Sequence, residues 1–426
     1  MVLARAQSGR VFETAAQRLM RYMRTGTLSL PALPPLSLYI HLPWCLKKCP
    51  YCDFNSHEWG RRSDHVGGGL PQDDYIQALQ ADLEASLPLI WGRQVHSIFM
   101  GGGTPSLFEP DRIDRLLGHV RSVLPLEPDC EITLEANPGT FERERFKAFR
   151  QAGVNRLSVG VQSFSDHHLA ALGRVHDADQ ALAAVQEAAE FFETFNIDLM
   201  YALPGQALKD LDQDLAQALA LRPPHLSIYH LTLEPNTAFA NKPPQLPDDD
   251  LASDMLDLIV QRTSRSLLAR YEVSAFARSN HRCVHNLNYW KFGDYLGIGA
   301  GAHSKLSYPS RIIRQVRYRD PQAYMMQARL GDAVSQDIEV ARADLPFEFM
   351  MNALRLQDGF ARPMFSERTG LPWSAAEAAI DAAVQRDWLA FDGDQIYPTG
   401  RGFNFLNDVL SLFLPEADVA YSPGND

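Results

Sequence analysis

The chain has 426 residues, of which 46% are hydrophobic and 22% charged, which is usual for a globular protein with one large and one smaller domain. Its 40 basic and 52 acidic residues give a net charge of −12, so we expect no nucleic-acid partner. No apolar run approaches the roughly 18 residues that a membrane span requires, and no secretory signal is recognisable. We therefore expect a cytoplasmic protein.

Residues 1–33 are predicted to be an N-terminal extension that ends at a group of prolines. Five arginines stand against a single acid, Glu13, in this segment. An Arg-rich, acid-poor start is typical of a mitochondrial transit peptide, and equally of a loosely ordered extension or of a start codon assigned too early. We expect an extension without a targeting role.

A short strand, Ser37–Leu42, leads into a cysteine-rich segment that reads LYIHLPWCLKKCPYCDFN. Its cysteines are Cys45, Cys49 and Cys52. This spacing would also place them on one face of a helix, as a small apolar stripe. Pro43 and Pro50 argue against the helix, because proline removes a helical hydrogen bond and clashes with the preceding turn. The segment is therefore predicted to be a loop.

Three neighbouring thiols in a loop can surround one metal centre, and soft thiolates select zinc or an iron–sulfur cluster. A structural zinc site needs four protein ligands. The two remaining cysteines, Cys130 and Cys283, are isolated in the sequence. We therefore predict a four-iron cluster with one open iron, which can bind a further ligand.

Strands and helices then alternate as far as Leu231, with a polar, glycine-rich connection at residues 60–73. The predicted strands are Val95–Met100, Glu131–Leu134, Arg156–Val161, Ile197–Tyr201 and His225–Leu231. The predicted helices are 74–87, 111–124, 141–152, 165–172, 178–192 and 208–219. Such alternation favours parallel β/α units with right-handed crossovers. The fold class is therefore α/β, with a partial (β/α)6 barrel at residues 34–270.

Unusual residues follow these strands, at the edge where barrels of this kind place their active sites. GGGTP follows the second strand, and polar residues stand at or just after later strands: Glu135, Gln162, Arg174 and Asp198. The glycines alone are often purely conformational, and each polar residue alone is more often solvated or a cap. Their shared position predicts one site.

Residues 271–426 are predicted to form a smaller α+β, winged-helix-like region. YEVSAFAR is predicted to be a strand, HNLNYW a polar and aromatic turn, and GIGAGAHS a glycine-rich stretch. Helices at 347–356, 364–369 and 375–386 and a hairpin around Gly393 follow. Acidic residues outnumber basic ones in this region, so we expect it to pack on the barrel rather than to bind DNA.

The Cx3CxxC loop after a strand resembles the signature of the radical S-adenosylmethionine (SAM) superfamily. In that superfamily the open iron of a [4Fe–4S] cluster chelates SAM, and an electron from the cluster cleaves it. The resemblance implies that Cys45, Cys49 and Cys52 hold the cluster. It also implies that SAM is bound by the strand-end residues Gly102, Gly103, Thr104, Glu135, Gln162, Arg174 and Asp198, and that Tyr39 packs beside the cluster.

From about Pro34 onward the motifs follow one another as in the HemW family of heme chaperones, a branch of the oxygen-independent coproporphyrinogen III oxidase-like proteins. The oxidases carry a further cysteine where this chain has Phe54, and the HNxxYW element is similar to that of the chaperones. The resemblance implies heme as a ligand and heme-accepting respiratory proteins as partners. Membrane contact is then expected only through those clients, and a homodimer stays open.

HNLNYW spans His285–Trp290. Its histidine can be an axial heme ligand, or the segment can be a structural turn in which its asparagines satisfy backbone groups. The resemblance favours His285 as the heme ligand, with His230, His281 and His303 as weaker candidates. We assign no catalytic residue. The alternative functions are radical decarboxylation of coproporphyrinogen III and another radical SAM reaction.

Overall fold

The computed structural model of the chain describes residues 13–59, 69–139 and 142–415. The elements up to residue 230 are α1 (Ala15–Tyr22), β1 (Leu36–Leu42), β2 (Trp44–Cys45), β3 (His57–Glu58), α2 (Gln72–Ile90), β4 (Val95–Gly102), α3 (Pro110–Val123), β5 (Leu126–Ala136), α4 (Glu142–Ala152), β6 (Arg156–Gln162), α5 (Asp166–Ala171), α6 (Ala178–Phe191), β7 (Thr194–Tyr201), α7 (Leu208–Ala220) and β8 (His225–His230). Residues 60–68 of the predicted connection at residues 60–73 lie outside the described residues.

The elements from residue 238 onward are α8 (Ala238–Asn241), α9 (Asp249–Arg265), β9 (Ala269–Arg270), β10 (Ala275–Ala277), α10 (Val284–Trp290), β11 (Asp294–Ile298), β12 (His303–Tyr308), β13 (Arg311–Arg317), α11 (Pro321–Arg329), β14 (Val334–Glu339), α12 (Leu345–Ala353), β15 (Phe360–Ala361), α13 (Arg362–Thr369), α14 (Glu377–Gln385), β16 (Leu389–Asp392), β17 (Gln395–Pro398), α15 (Gly400–Asn404) and α16 (Leu406–Ser411). Among the described helices, none is long and apolar enough to cross a membrane.

Six parallel strands form the barrel sheet, in the order β1-β4-β5-β6-β7-β8. This confirms the predicted partial (β/α)6 barrel. Every one of these strands ends at the same edge, because parallel strands share a direction. The residues that follow them in sequence are therefore brought together.

The barrel sheet continues beyond residue 271. Strand β11 pairs with β1 in parallel, and β12, β13 and β14 extend the sheet in antiparallel fashion. On the opposite edge, β10 pairs antiparallel with β8. The division of the chain at residue 271 stays a prediction.

A second, smaller core lies at the carboxyl end, around Phe349, Phe365 and Ile380. It is covered by a three-stranded sheet in the order β15-β17-β16, with helices α12 to α14 packed beside it. This arrangement matches the predicted smaller α+β region. Leu28 and Leu30 from the amino-terminal segment also belong to this core.

The amino-terminal segment is packed from residue 13 onward, so of the three alternatives the loosely ordered extension does not describe residues 13–33. Arg18 in α1 is largely buried and forms an ion pair with Asp332 at 2.7 Å. The hydroxyl of Tyr22 donates a hydrogen bond to the carboxylate of Asp337. Residues 1–12 of the predicted extension lie outside the described residues.

Two predictions for the region after the barrel are wrong. The predicted turn His285–Trp290 is the helix α10, and the predicted strand at residues 271–278 is reduced to β10. Helix α10 begins where the carboxylate of Glu131 accepts hydrogen bonds from the backbone N–H groups of Val284 and His285, both at 3.1 Å. These bonds satisfy N–H groups that lack partners within the helix. The cap comes from β5, so the local sequence does not reveal it.

Candidate functional site

The three loop cysteines line one cavity of about 400 Å³ at the carboxyl edge of the barrel strands. Each sulfur lies 3.6 Å from a polar side-chain atom: Cys45 from Thr104, Cys49 from Arg174 and Cys52 from Ser56. Neighbouring donors of this kind stabilise thiolate sulfur. The structure therefore brings together the predicted cluster ligands, with hydrogen-bond donors already beside them.

The geometry of the thiols suits a cluster better than one ion. Across the described ranges, no group of three His, Cys, Asp or Glu side chains is close enough to share a single metal ion. A four-iron cluster is larger, and its cysteine ligands bind different iron atoms. Burial raises the pKa of Cys45 to about 11 and also raises that of Cys52. Binding of iron must therefore displace thiol protons.

The backbone N–H groups of Gly102, Gly103 and Thr104, at the end of β4, all donate hydrogen bonds within the protein. The N–H of Gly102 donates to Glu135 at 3.1 Å, and those of Gly103 and Thr104 donate to backbone carbonyls of the cysteine loop at 2.8 Å. A side chain at Gly102 would collide with the ring of His41, 2.2 Å from the added carbon. The turn therefore fits tightly against the loop.

Two half-buried acids, Glu135 and Asp198, line the same cavity. The pKa of Glu135 is raised to about 8, mainly by burial and also by the charge of Asp198. Burial also raises the pKa of Asp198, although its carboxylate accepts hydrogen bonds from Asn196 at 2.7 Å and Ser158 at 3.0 Å. An incoming cation would relieve the unfavourable burial of both carboxylates.

Gln162 and Arg174 complete the predicted set in this cavity. Gln162 has a φ of 71°, which is a costly backbone conformation for a residue with a side chain and is found most often at functional sites. Arg174 donates to Asn137 at 2.6 Å and to the carbonyl of Gly160 at 2.7 Å. Asn137, which also donates to Thr104 at 2.8 Å, is a positioning residue that our sequence analysis missed, although it lies in the EANPGT turn.

A second cavity, of about 570 Å³, adjoins the first. Its walls are mainly aromatic and histidine side chains: Tyr39, His41, Phe54, Phe99, His285, Tyr289, Trp290, Tyr295 and His303. The volume lies in the range of cavities that bind small molecules and cofactors. Asp53, Phe54, Gly102 and Glu135 line both cavities, so the two spaces share a wall.

His285 is a buried, neutral histidine at the edge of the second cavity. Burial lowers its pKa to about 3, with the charge of Arg156 acting in the same direction. Its Nδ1 lies 3.0 Å from Ser97 Oγ. Ser97 Oγ is in turn hydrogen bonded to Ser37 Oγ, which also accepts a hydrogen bond from Asn288, so these buried side chains form a chain. Nε2 is therefore the nitrogen left for a ligand. Its ring stacks on Phe99, with centroids 5.0 Å apart.

The other histidines and Tyr39 are placed differently. His303 lines the same cavity as His285, whereas His230 lines the cysteine cavity and stacks on Tyr201. His281 lines neither and is hydrogen bonded to Thr194 at 3.0 Å. Tyr39 lines the second cavity, and its hydroxyl is 3.0 Å from His41. Its predicted role beside the cluster stays a prediction.

Comparisons with known proteins agree with this geometry. A family model described as the radical SAM superfamily matches residues 39–218, and one described as the HemN C-terminal domain matches residues 340–405. The heme chaperone HemW of Haemophilus influenzae is 47% identical over 91% of this chain and 100% of its own length. The chain belongs to the HemW family. HemW of Escherichia coli is 46% identical over 90% of this chain and 99% of its own length.

The HemW-family fold is also found in a solved structure of coproporphyrinogen III oxidase (HemN) from Escherichia coli. It aligns with a TM-score of 0.74 and covers 93% of this chain and 98% of the oxidase, at 23% identity. That likeness shows the fold but not the activity. Phe54 lines both cavities, with 61% of its surface exposed.

The residues of this HemW-family chain fit the cofactors of the radical SAM superfamily. Three thiols with adjacent donors suit a [4Fe–4S] cluster. Two acids, an arginine and a glutamine in the same cavity suit the ammonium, carboxylate and hydroxyl groups of SAM. The assignment of individual SAM contacts stays a prediction.

Proposed function

We propose that this HemW-family chain binds heme in the second cavity and delivers it to heme-accepting respiratory proteins. The observation that carries the proposal is His285, a buried neutral imidazole in an aromatic cavity that shares a wall with the cysteine cavity. Imidazole nitrogen is a good axial ligand for heme iron, and aromatic side chains cover a porphyrin face. The relatives named as heme chaperones support this assignment.

His285 is prepared for ligation in three ways. Its low pKa keeps it unprotonated at neutral pH, so no proton competes with iron. Its contact with Ser97 fixes the ring plane, and Ser97 can accept the Nδ1 proton of the tautomer in which Nε2 binds metal. The cap by Glu131 holds the start of α10 against the barrel. The imidazole of His285 therefore loses little conformational freedom when it binds iron.

The cysteine cavity is proposed to serve as a controlling module. Cys45, Cys49 and Cys52 would hold the cluster, and Glu135 and Asp198 would hold the ammonium end of SAM. When bound, the cluster supplies one-electron chemistry to SAM. Because Glu135 and Gly102 also line the second cavity, they can transmit occupancy of one cavity to the other.

The location of the protein, its membrane contact and its oligomeric state belong to the same proposal. We place the protein in the cytoplasm, since its five cysteines are free thiols and the proposed cluster needs a reducing compartment. Delivery of heme to respiratory proteins brings it to the membrane through those clients. A homodimer would be compatible with this role.

Heme titration of the purified protein tests the proposal. We expect a Soret band on adding heme, and we expect His285→Ala to shift or weaken it. His281→Ala is the matched control, because that histidine lines neither cavity. In parallel, coproporphyrinogen III with SAM and reductant should remain unconverted. Formation of protoporphyrinogen would instead establish the oxidase activity.

A further inference from the structure

The second cavity is lined by both deeply buried and exposed residues. His285 is only 3% exposed, whereas Arg319 and His303 are exposed residues of the same cavity. Aromatic rings surround the buried imidazole, since the ring centroids of Phe99 and Tyr39 lie 5.0 and 6.4 Å from that of His285. A ligand in this cavity therefore meets an imidazole and aromatic rings inside, and basic side chains at the solvent-exposed rim.

Arg319 is the only arginine or lysine among the described residues that line this cavity. It lies between β13 and α11, and its carbonyl oxygen accepts a hydrogen bond from Asn55 Nδ2 at 2.8 Å. The same nitrogen donates to the carbonyl of Ala300 at 2.9 Å. The guanidinium of Arg319 has no hydrogen bond or ion pair within the described ranges. The backbone of Arg319 is therefore held in place, while its charge is left for a ligand.

Two acids, Asp53 and Glu135, also line the second cavity. Both belong to the wall that it shares with the cysteine cavity, whereas Arg319 does not line the cysteine cavity. Neither acid forms an ion pair with Arg319 in the part of the chain that the structure describes. The charge of Arg319 is therefore not neutralised by the acids of its own cavity.

The neighbouring histidine is a sign of positive potential at the same rim. Burial lowers the pKa of His303, and the charges of Arg314 and Arg319 act in the same direction. Arg314 is already paired with Glu348 at 2.6 Å and does not line the cavity. A carboxylate at the rim would therefore be attracted by Arg319, and it would offset the repulsion that opposes protonation of His303.

Heme has a matching distribution of chemical groups. Its iron lies at the centre of a flat apolar ring, and its two propionate carboxylates extend from one edge of that ring. Burying a carboxylate without a partner is costly, so the propionate edge of a heme held by His285 must face the exposed rim. Arginine is well suited to receive it, because a guanidinium can donate two parallel hydrogen bonds to one carboxylate.

We propose that Arg319 binds a heme propionate at the rim of the second cavity and thereby determines which edge of the porphyrin faces solvent. The inference rests on the proposed heme site and narrows its ligand class to porphyrins that carry a free carboxylate. No covalent bond is formed or broken in this contact.

Absorbance titrations of the full chain with two probes test the contact. The probes are hemin and hemin dimethyl ester, in which both carboxylates are blocked. We expect Arg319→Glu to raise the Kd of hemin about ten-fold at low ionic strength, and we expect the difference to shrink as salt is added. The same substitution should change the Kd of the dimethyl ester little, because the ester has no charge to be repelled. Arg319→Lys, which keeps the positive charge, should restore most of the affinity for hemin.

Arg401→Glu is the matched control, because Arg401 is an exposed arginine of α15 that lines neither cavity and its replacement changes the net charge equally. Equal Kd values of hemin for Arg319→Glu and Arg401→Glu would overturn the proposed contact. So would an equal rise in Kd for hemin and its dimethyl ester in Arg319→Glu. If hemin gave no Soret band that depends on His285, the heme site itself would be overturned, and the propionate contact with it.

Discussion

Ser97 Oγ lies 3.0 Å from His285 Nδ1, and this contact joins strand β4 to helix α10 across 188 positions of sequence. Ser97 is fully buried, and its hydroxyl also lies 2.8 Å from that of Ser37. A buried hydrogen bond of this kind orients a histidine and selects its tautomer. The proposed heme ligand is therefore positioned from the barrel as well as from its own helix.

Replacing Ser97 by alanine should weaken heme binding without removing the ligand. Loss of one hydrogen bond costs about 1 kcal/mol, so we expect the heme Kd to rise roughly five-fold and the Soret band to shift. Thr194→Ala is the matched control, because Thr194 Oγ1 lies at the same distance, 3.0 Å, from Nδ1 of His281, outside both cavities. If the two variants bind heme equally well, Ser97 has no role in positioning His285.

The cysteines divide into two sets in the structure. Cys45, Cys49 and Cys52 line the cavity, whereas Cys130 and Cys283 are buried elsewhere, and burial raises the pKa of both to about 12. We expect serine at any of the first three positions to abolish the cluster. Serine at Cys130 or Cys283 should leave iron and sulfide content unchanged. A full complement of iron in any variant of the first set would contradict this ligand assignment.

SAM affinity should depend on the two acids of the cysteine cavity, Glu135 and Asp198. Glu135→Ala and Asp198→Ala each remove a hydrogen-bond acceptor for a charged group, which costs about 1.5–3 kcal/mol and corresponds to a ten- to hundred-fold rise in Kd. Calorimetric titration of protein that contains the cluster measures this. Asp214→Asn is the control, because Asp214 is a buried acid that accepts hydrogen bonds from Ser163 and Phe164 away from the cavity. Unchanged affinity in both alanine variants would remove the acids from the SAM site.

The sequence predicts the cysteine cavity well because the carboxyl ends of parallel strands lie at the same edge of the sheet. Pro43 and Pro50 exclude a helix through the cysteines, and the strand alternation brings Glu135, Gln162 and Asp198 to one edge. The second cavity is harder to predict. It combines β1, β4, α10 and the turn before β12, and α10 depends on a cap from Glu131 that local patterns do not contain.

The amino-terminal segment shows a similar limit of sequence analysis. Its arginines suggest a solvated or targeting segment, yet Arg18 pairs with Asp332 and Tyr22 is completely buried. These partners lie more than 300 positions away. Composition gives the charge of such a segment, but it does not show which distant acidic residues the segment contacts.

Acid should destabilise the protein through His176, a buried histidine that lies between α5 and α6 in sequence. Its Nε2 donates to the carbonyl of Val161 at 3.1 Å, and its Nδ1 is buried without a hydrogen-bond partner. A proton on Nδ1 would therefore find no acceptor in the folded state. The pKa of His176 is lowered to about 4, mainly by burial and also by the neighbouring charge of Arg174.

In the unfolded chain the same histidine titrates near 6.5, so between these two values the unfolded state binds the proton and the folded state does not. Stability is thus unaffected above pH ~6.5 and falls as the pH decreases towards 4, by up to about 3 kcal/mol for this one group. Urea unfolding of the metal-free protein at several pH values measures the loss. We expect His176→Gln to flatten the pH dependence, since glutamine can still donate to Val161. An equally steep acid loss in His176→Gln would show that other groups account for it.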